Sequence, residues 1–380
     1  MKNQALNNKL FLTLISSILM GVSQQPLGIG FIAWFCLIPF IYVLTSLDNY
    51  KNIVIYSFIW GFFYSISTVF WLAFNIGTSQ IAAFISMILT VLILSTNTIL
   101  VGVIWFYISQ KNKKNSLLLF SLIWVCIEYV RSYGILGFPW ISLANTQTNY
   151  LYLIQNAEFL GIYGITFWVL LVNIFIYKII TETDYKKGLL ALSILMVIPN
   201  ILGYYLYNRV ELYETDYKIS IVQPNINLIN KRDYSRRFEN LNNLINTSKQ
   251  YIESGSSLIL WPESALPYSN IQESKILNLI RKNLLTGNDS FLLTGNVIYD
   301  KNGHYNSSVL VNSDGIKDIY NKQQLVPVAE YVPMSDWFPK LKTFNLGQAN
   351  FSKGNEDVLF EVGDVKFSSL ICFESTFPEI

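Results

Sequence analysis

The chain has 380 residues, of which 52% are hydrophobic and only 14% charged, with a mean hydropathy of +0.36 and a formal net charge of +2. Soluble domains carry nearer a quarter charged residues, so this composition calls for membrane spans and excludes an ordinary soluble protein. The charges are also segregated, with 10 Lys/Arg and 5 Asp/Glu in residues 1–205 against 17 and 20 in residues 206–380, and no basic run suggests a nucleic-acid partner.

The first half reads as seven apolar stretches, at about 8–23, 28–47, 52–74, 79–108, 116–132, 159–180 and 187–207, each near the roughly 20 residues that cross a hydrocarbon core. The first is short and follows Lys2 and Lys9, which also fits a signal peptide. It lacks a small-x-small cleavage site before Pro26, and another span follows at once, so a helix is expected. Lys2, Lys9, Lys51, Lys111, Lys113, Lys114, Lys178, Lys186 and Lys187 fall at the N-terminus and in the second, fourth and sixth loops, whereas the other loops offer only Arg131. The positive-inside rule then predicts a cytoplasmic N-terminus and, after seven crossings, a C-terminal part on the outer face of a bacterial inner membrane.

The fifth loop, residues 134–158, is long and apolar, with Phe138-Pro139-Trp140 and Asn145-Thr146-Gln147. It suits either an interfacial aromatic belt or a re-entrant turn under a lipid-binding cavity. Glu128, inside the fifth stretch, is expected to be paired within the bundle or functional, because intramembrane carboxylates are costly.

Past residue 207 strands and helices alternate. Strands are expected at 218–223, 257–261, 291–299, 307–312 and 316–320, with helices at 234–253 and 273–285, an α/β sandwich pattern. The expected organisation is thus a polytopic helical membrane domain over 1–207 and an α/β domain over 208–380. No glycine-rich phosphate loop and no zinc-ligand spacing occur, so neither cofactor nor metal is expected.

Residues 365–374, Val-Lys-Phe-Ser-Ser-Leu-Ile-Cys-Phe-Glu, alternate like a buried strand that ends in a thiol. Cys36 and Cys126 lie in predicted spans, so Cys372 has no disulfide partner on its side and is either a small core residue or a nucleophile. His304, the only histidine, sits in a turn-like Asp300-Lys301-Asn302-Gly303-His304 segment, which leaves Cys372 without an imidazole base. Activation would have to come from a carboxylate or a lysine. Glu263, held at a strand end by Pro262, and Lys322, at the end of another strand, are candidates; each also fits a surface charge.

Leu260-Trp261-Pro262-Glu263-Ser264, Tyr320-Asn321-Lys322 and Leu370-Ile371-Cys372-Phe373-Glu374, in that order, resemble the Glu-Lys-Cys triad of the nitrilase (carbon-nitrogen hydrolase) superfamily. Behind seven spans they resemble the apolipoprotein N-acyltransferase family, and Pro26 to Pro39, Phe138-Pro139-Trp140, Ile221 to Asn225 and Val326 to Pro333 agree. The resemblance implies an αββα nitrilase-like domain with Cys372 as nucleophile, Glu263 as general base, Lys322 as oxyanion stabiliser, and Glu330 and Glu374 as supporting carboxylates. It implies a ping-pong transfer of an acyl chain from a phospholipid, typically phosphatidylethanolamine, to the α-amine of a diacylglyceryl-cysteine on an apolipoprotein. An amidase using the same triad and an inactive remnant remain open alternatives.

Three departures stand out. Phe373 replaces the family's usual Tyr, Arg232 stands where a Trp is common, and the chain stops eight residues after Cys372, where the family continues through further strands to a final span. An incomplete sandwich with an exposed sheet edge is therefore expected.

Overall fold

The computed structural model describes every residue except 1, 76–78, 135–136, 184, 232, 267–269, 336, 339 and 341–349. Arg232 and two residues of the fifth connection thus lie outside the described residues. The chain divides into two compact units, Met1–Glu211 and Leu212–Ile380.

The first unit is helical: α1 (Lys2–Ser23), α2 (Ile38–Thr45), α3 (Tyr50–Val69), α4 (Gln80–Lys111), α5 (Ser116–Ser132), α6 (Leu151–Ile154), α7 (Ala157–Thr181) and α8 (Tyr185–Asn208). Starts are fixed by side-chain caps: Asn49 accepts the Asn52 amide at the head of α3, and Ser79 accepts that of Ala82 at the head of α4. Four helices, Tyr50–Phe74, Gln80–Lys111, Ala157–Thr181 and Tyr185–Asn208, are long and apolar enough to cross a membrane. The other three apolar stretches give shorter pieces. Residues 28–47 break into a 3₁₀ turn, Gly30–Trp34, and the eight-residue α2, whose new start carries Pro39 in its first turn. The apolar part of α1 spans Asn8–Ser23, and α5 has 17 residues and bears Glu128 and Arg131.

Small residues let the long helices approach. A Cβ at Gly61 of α3 would meet Thr98 Oγ1 of α4 at 2.7 Å, too close for any larger residue. Trp60 stacks on Phe40 and meets Trp124 edge-on, with ring centroids 5.1 and 5.4 Å apart.

Glu128, 3% exposed, is paired within this bundle. Its Oε1 accepts Trp124 Nε1 and the Leu143 amide, both at 3.1 Å; its Oε2 accepts Ser142 Oγ at 2.6 Å and Thr166 Oγ1 at 2.9 Å. The carboxylate therefore ties the connection after α5 to α5 and α7. Arg131, counted from sequence as a loop charge, belongs to the last turn of α5, with its guanidinium 3.9 Å from Glu128.

The second unit is built on one five-stranded mixed sheet. β1 (Ile219–Ile221), β2 (Leu258–Leu260) and β3 (Phe291–Asp300) run parallel; β4 (Gly303–Val311) and β5 (Ile316–Asn321) follow as antiparallel neighbours in sequence order. Parallel neighbours need crossovers. A short α9 (Leu228–Lys231) and α10 (Arg237–Glu253) lie between β1 and β2, and α11 (Ser274–Ile280) lies between β2 and β3.

Period-two alternation assigns the two faces. Ile259, Leu292, Val309 and Val311 pack with Leu241, Leu244, Ile276 and Ile280 of the helices. Leu258, Leu310 and Tyr320 face the other way, against Phe360 and Val362 of β6 (Phe360–Val362) and Ile371. β6 pairs with β7 (Val365–Phe367) as a separate antiparallel hairpin. Among the described residues the layers are thus helices, five-stranded sheet and hairpin, rather than a full four-layer sandwich.

Two local readings change. The strand expected over 365–374 ends at Phe367, and Cys372 opens a 3₁₀ turn, Cys372–Thr376. The alternation of this run reflects burial of Ile371 and Phe373 rather than a ladder. His304 lies in β4 rather than a solvated turn, with its ring stacked on Tyr299 and edge-on to Phe351.

Candidate active site

Strand ends carry the site. Pro262 follows β2 and ends its pairing, and the chain turns through Ser264, whose φ is +52°. This places the Glu263 backbone against β3 at Gly295, where a Cβ would stand 2.6 Å from the Glu263 Cα, so only glycine admits the approach. Lys322 directly follows β5, and its amide donates to the Asn306 carbonyl of β4 at 2.9 Å. Glu330 comes from the loop after Lys322, where its own amide bonds the Val326 carbonyl. The same loop holds Val328 at φ +69°, a conformation that a β-branched residue adopts only under tertiary constraint.

These groups converge. Lys322 is fully buried, and its ammonium lies 3.0 Å from each Glu330 oxygen and 4.0 Å from Glu263 Oε1. Glu330 Oε2 also accepts the Val326 amide at 2.8 Å. The side-chain amide of Asn306 donates to Glu263 Oε1 at 2.7 Å and to Glu330 Oε1 at 3.1 Å. Glu330 is thereby held as the counter-ion of Lys322. The Glu263 side chain is 37% exposed, and its Oε2 has no hydrogen bond among the described residues.

Cys372 is brought in by a different device. Ser369 Oγ meets Ser308 Oγ of β4 at 2.7 Å, which fixes the run into the cysteine against the sheet. Glu374, fully buried, accepts the Ile371 amide on Oε2 at 2.8 Å, and on Oε1 the Tyr320 hydroxyl at 2.7 Å and the amides of Gln323 and Gln324 at 2.6 and 3.1 Å. It clamps the Cys372 turn to the segment carrying Lys322. Within this turn Cys372 has φ +55°, in the left-handed region, and its side chain is exposed to the site.

The thiol is raised above its ordinary range, first by partial burial and then by the negative charge of Glu263, with Glu330 adding to it; Lys322 and the Phe373 amide pull the other way. At neutral pH it is a protonated thiol. Near it lies Glu263 Oε2, a carboxylate oxygen that takes no hydrogen bond among the described residues and is chemically able to accept a proton. Among the described residues no group of three His, Cys, Asp or Glu side chains could hold a metal ion.

The structure therefore brings together Cys372, Glu263, Lys322 and Glu330, with Glu374 as a clamp one step away. Phe373 is buried, edge-on to Phe377 at 4.9 Å, where no hydroxyl is present. Two residues escaped sequence reasoning. Asn306 sits inside a strand with no motif around it; its only signal is a polar Asn306-Ser307-Ser308 run entering the apolar Val309-Leu310-Val311. Lys231 ends α9 and donates to the Glu263 carbonyl at 3.2 Å. Burial lowers its ammonium below the usual lysine range, and Glu263 partly offsets this.

Sequence comparisons agree with this architecture. Residues 218–380 match the carbon-nitrogen hydrolase family model, which defines the class of the thiol-bearing unit. Residues 16–175 match the apolipoprotein N-acyltransferase N-terminal domain. The chain is 27% identical to apolipoprotein N-acyltransferase of Geobacter metallireducens, over 97% of this chain and 73% of the relative. It is 25% identical to that of Chlorobaculum tepidum, over 99% and 76%, and 28% identical to that of Rickettsia typhi, over 89% and 69%. The solved glutamine-dependent NAD+ synthetase of Acinetobacter baumannii overlaps 36% of this chain and 25% of its own at 22% identity and a TM-score of 0.26, too partial a likeness to carry an argument. The chain belongs to the apolipoprotein N-acyltransferase family.

Proposed function

We propose that this chain is a phospholipid:apolipoprotein N-acyltransferase that works through a Cys372 thioester. The carrying observation is geometric: beside the Cys372 thiol, Lys322, Asn306 and the Val326 amide occupy both oxygens of Glu330, whereas among the described residues Oε2 of Glu263 takes no hydrogen bond.

In the first half-reaction Glu263 takes the thiol proton as sulfur bonds to the carbonyl carbon of a phospholipid acyl ester. The tetrahedral oxyanion forms beside the Lys322 ammonium. Collapse breaks the C–O bond, and Glu263 returns its proton to the departing alkoxide, leaving a lysophospholipid and an acyl thioester. In the second half-reaction the α-amine of a diacylglyceryl-cysteine attacks the thioester. Glu263 takes the amine proton, the C–S bond breaks, and the thiolate regains a proton as the amide forms. Glu330, in contact with the ammonium through both oxygens, holds Lys322 in place throughout.

Phosphatidylethanolamine, attacked at sn-1, is the donor we assign. The helical part, 1–207, crosses the inner membrane seven times from a cytoplasmic N-terminus, and the part from 208 onward works on the periplasmic side; the lysine distribution supports this orientation. Two lipid-anchored substrates explain why a thiol hydrolase-type unit carries membrane helices.

The test is mass spectrometry of the purified chain after incubation with phosphatidylethanolamine vesicles. The expected result is a hydroxylamine-sensitive acyl adduct on Cys372, absent in Cys372→Ala, that is discharged by a diacylglyceryl-cysteine peptide to an N-acyl peptide. No adduct on folded protein, or discharge only to free fatty acid, overturns the proposal.

A further inference from the structure

We propose that Asn306 is the positioning residue that makes Glu263 the base of this site, an inference that rests on the role given to Glu263 above. One amide nitrogen donates to two carboxylates, Glu263 Oε1 at 2.7 Å and Glu330 Oε1 at 3.1 Å, while the main-chain oxygen of the same residue accepts the Lys322 amide at 2.9 Å. Asn306 is thus bonded to all three residues whose charges act on Cys372: to the carboxylates of Glu263 and Glu330 and to the main chain of Lys322. It is 4% exposed and stands in β4, opposite Val297 of β3, and on its other side its carbonyl is held by the Lys322 amide just past β5, so its backbone is fixed from both sides.

The chemistry requires a neutral donor here. Two carboxylates share a single ammonium, and without further donors Glu263 and Glu330 would compete for Lys322. The salt-bridge geometry resolves that competition: Glu330 holds both short contacts to Lys322 and Glu263 stands off at 4.0 Å. Something must then hold Glu263 near the thiol without supplying a second full positive charge, which would quench its basicity. An amide N–H does this, satisfying one oxygen of Glu263 and leaving the other for the proton. A lysine or arginine at this position would neutralise the base, and an aspartate would crowd a third carboxylate around one ammonium. Among the described residues, the charged and titratable groups facing Glu263 are Lys322, Glu330, Cys372 and, on its main-chain oxygen, Lys231. None of them donates to its side chain within ordinary hydrogen-bond distance.

The experiment follows Cys372 acylation by phosphatidylethanolamine in the full-length wild type, Asn306→Ala, Asn306→Asp and Glu263→Gln, with far-UV circular dichroism and thermal melting on each. For Asn306→Ala, acylation slows by about 100-fold at neutral pH with the phospholipid KM unchanged, because base positioning acts on the chemical step. Asn306→Asp, nearly isosteric, loses more than Asn306→Ala. A folded Asn306→Ala whose loss follows only the folded fraction, or falls on KM rather than on the acylation rate, overturns the inference. Retention of wild-type acylation in Glu263→Gln instead overturns the assignment of the base, so the two failures are separable.

Discussion

Glu128 in the helical unit and Glu263 in the sheet unit are carboxylates on apolar scaffolds that are handled in opposite ways. Glu128 is 3% exposed and receives four hydrogen bonds, two on each oxygen, from Trp124, Leu143, Ser142 and Thr166. Glu263 is 37% exposed and receives one short side-chain hydrogen bond, from Asn306, with Lys322 at 4.0 Å. A saturated carboxylate is a joint: it holds segments together, and taking a proton would break its bonds. A carboxylate with a bare oxygen can accept a proton at little structural cost. Glu330 and Glu374 belong with Glu128 by this criterion, although both lie beside the thiol. Proximity to a nucleophile does not by itself make a base.

The largest expected effects test the bare oxygen. Cys372→Ala abolishes the acyl adduct outright, and Glu263→Gln slows its formation by about 10³-fold while leaving the melting temperature nearly unchanged, read by intact-mass time courses. A comparable rate loss in Glu128→Gln would erase the distinction between the two kinds of carboxylate.

Next comes the buried pair. Lys322→Met leaves Glu330, only 13% exposed, without its counter-ion and costs about 3 kcal/mol in denaturant unfolding. Adding Glu330→Gln returns much of that stability but no acylation, which separates the structural part of the pair from its catalytic part. In the helical unit, Glu128→Ala strands donors from three segments and lowers stability in detergent by about 1–3 kcal/mol. Cys372 alkylation by iodoacetamide is expected to keep its wild-type rate in that variant.

The smallest effect is a shift in titration. Alkylation tracks the thiolate, and burial with Glu263 raises the thiol, so the wild-type rate reaches half-maximum above the ~8.5 of a free cysteine. Removing the negative charge in Glu263→Gln moves the midpoint to lower pH, whereas removing the positive charge in Lys322→Met moves it higher. Unchanged midpoints in both variants would mean that these charges do not act on the sulfur.

The family, and the side chains that we propose for the chemistry, were legible because they depend on local constraints. Pro262 ends a strand before Glu263, Lys322 ends β5, and the apolar stretches before residue 208 obey helix length and charge rules. The continuity of those stretches was less legible. Residues 28–47 read as one span, yet Pro39 restarts the helix after a 3₁₀ turn, because hydropathy measures the solvent a segment prefers and not whether its hydrogen-bond ladder is unbroken. The run into Cys372 misled for a related reason. Alternating burial there arises from packing of Ile371 and Phe373, with the backbone held by Ser308 and Glu374 rather than by a neighbouring strand.

By itself the sequence determined that the chain has a lipid-compatible half and an α/β half, and it singled out the thiol, lysine and carboxylates on which the proposed chemistry draws. Only the tertiary structure decided how those groups divide the work. Glu263, Asn306, Lys322, Glu330 and Cys372 span more than a hundred residues of chain, and which oxygen is claimed by which donor depends on distances of a few tenths of an ångström across strands. No spacing rule encodes such distances. They follow from the β3–β4–β5 register, the absence of a side chain at Gly295 and the strained turns at Val328 and Cys372, and among the described residues these leave one carboxylate oxygen without a hydrogen bond beside the thiol.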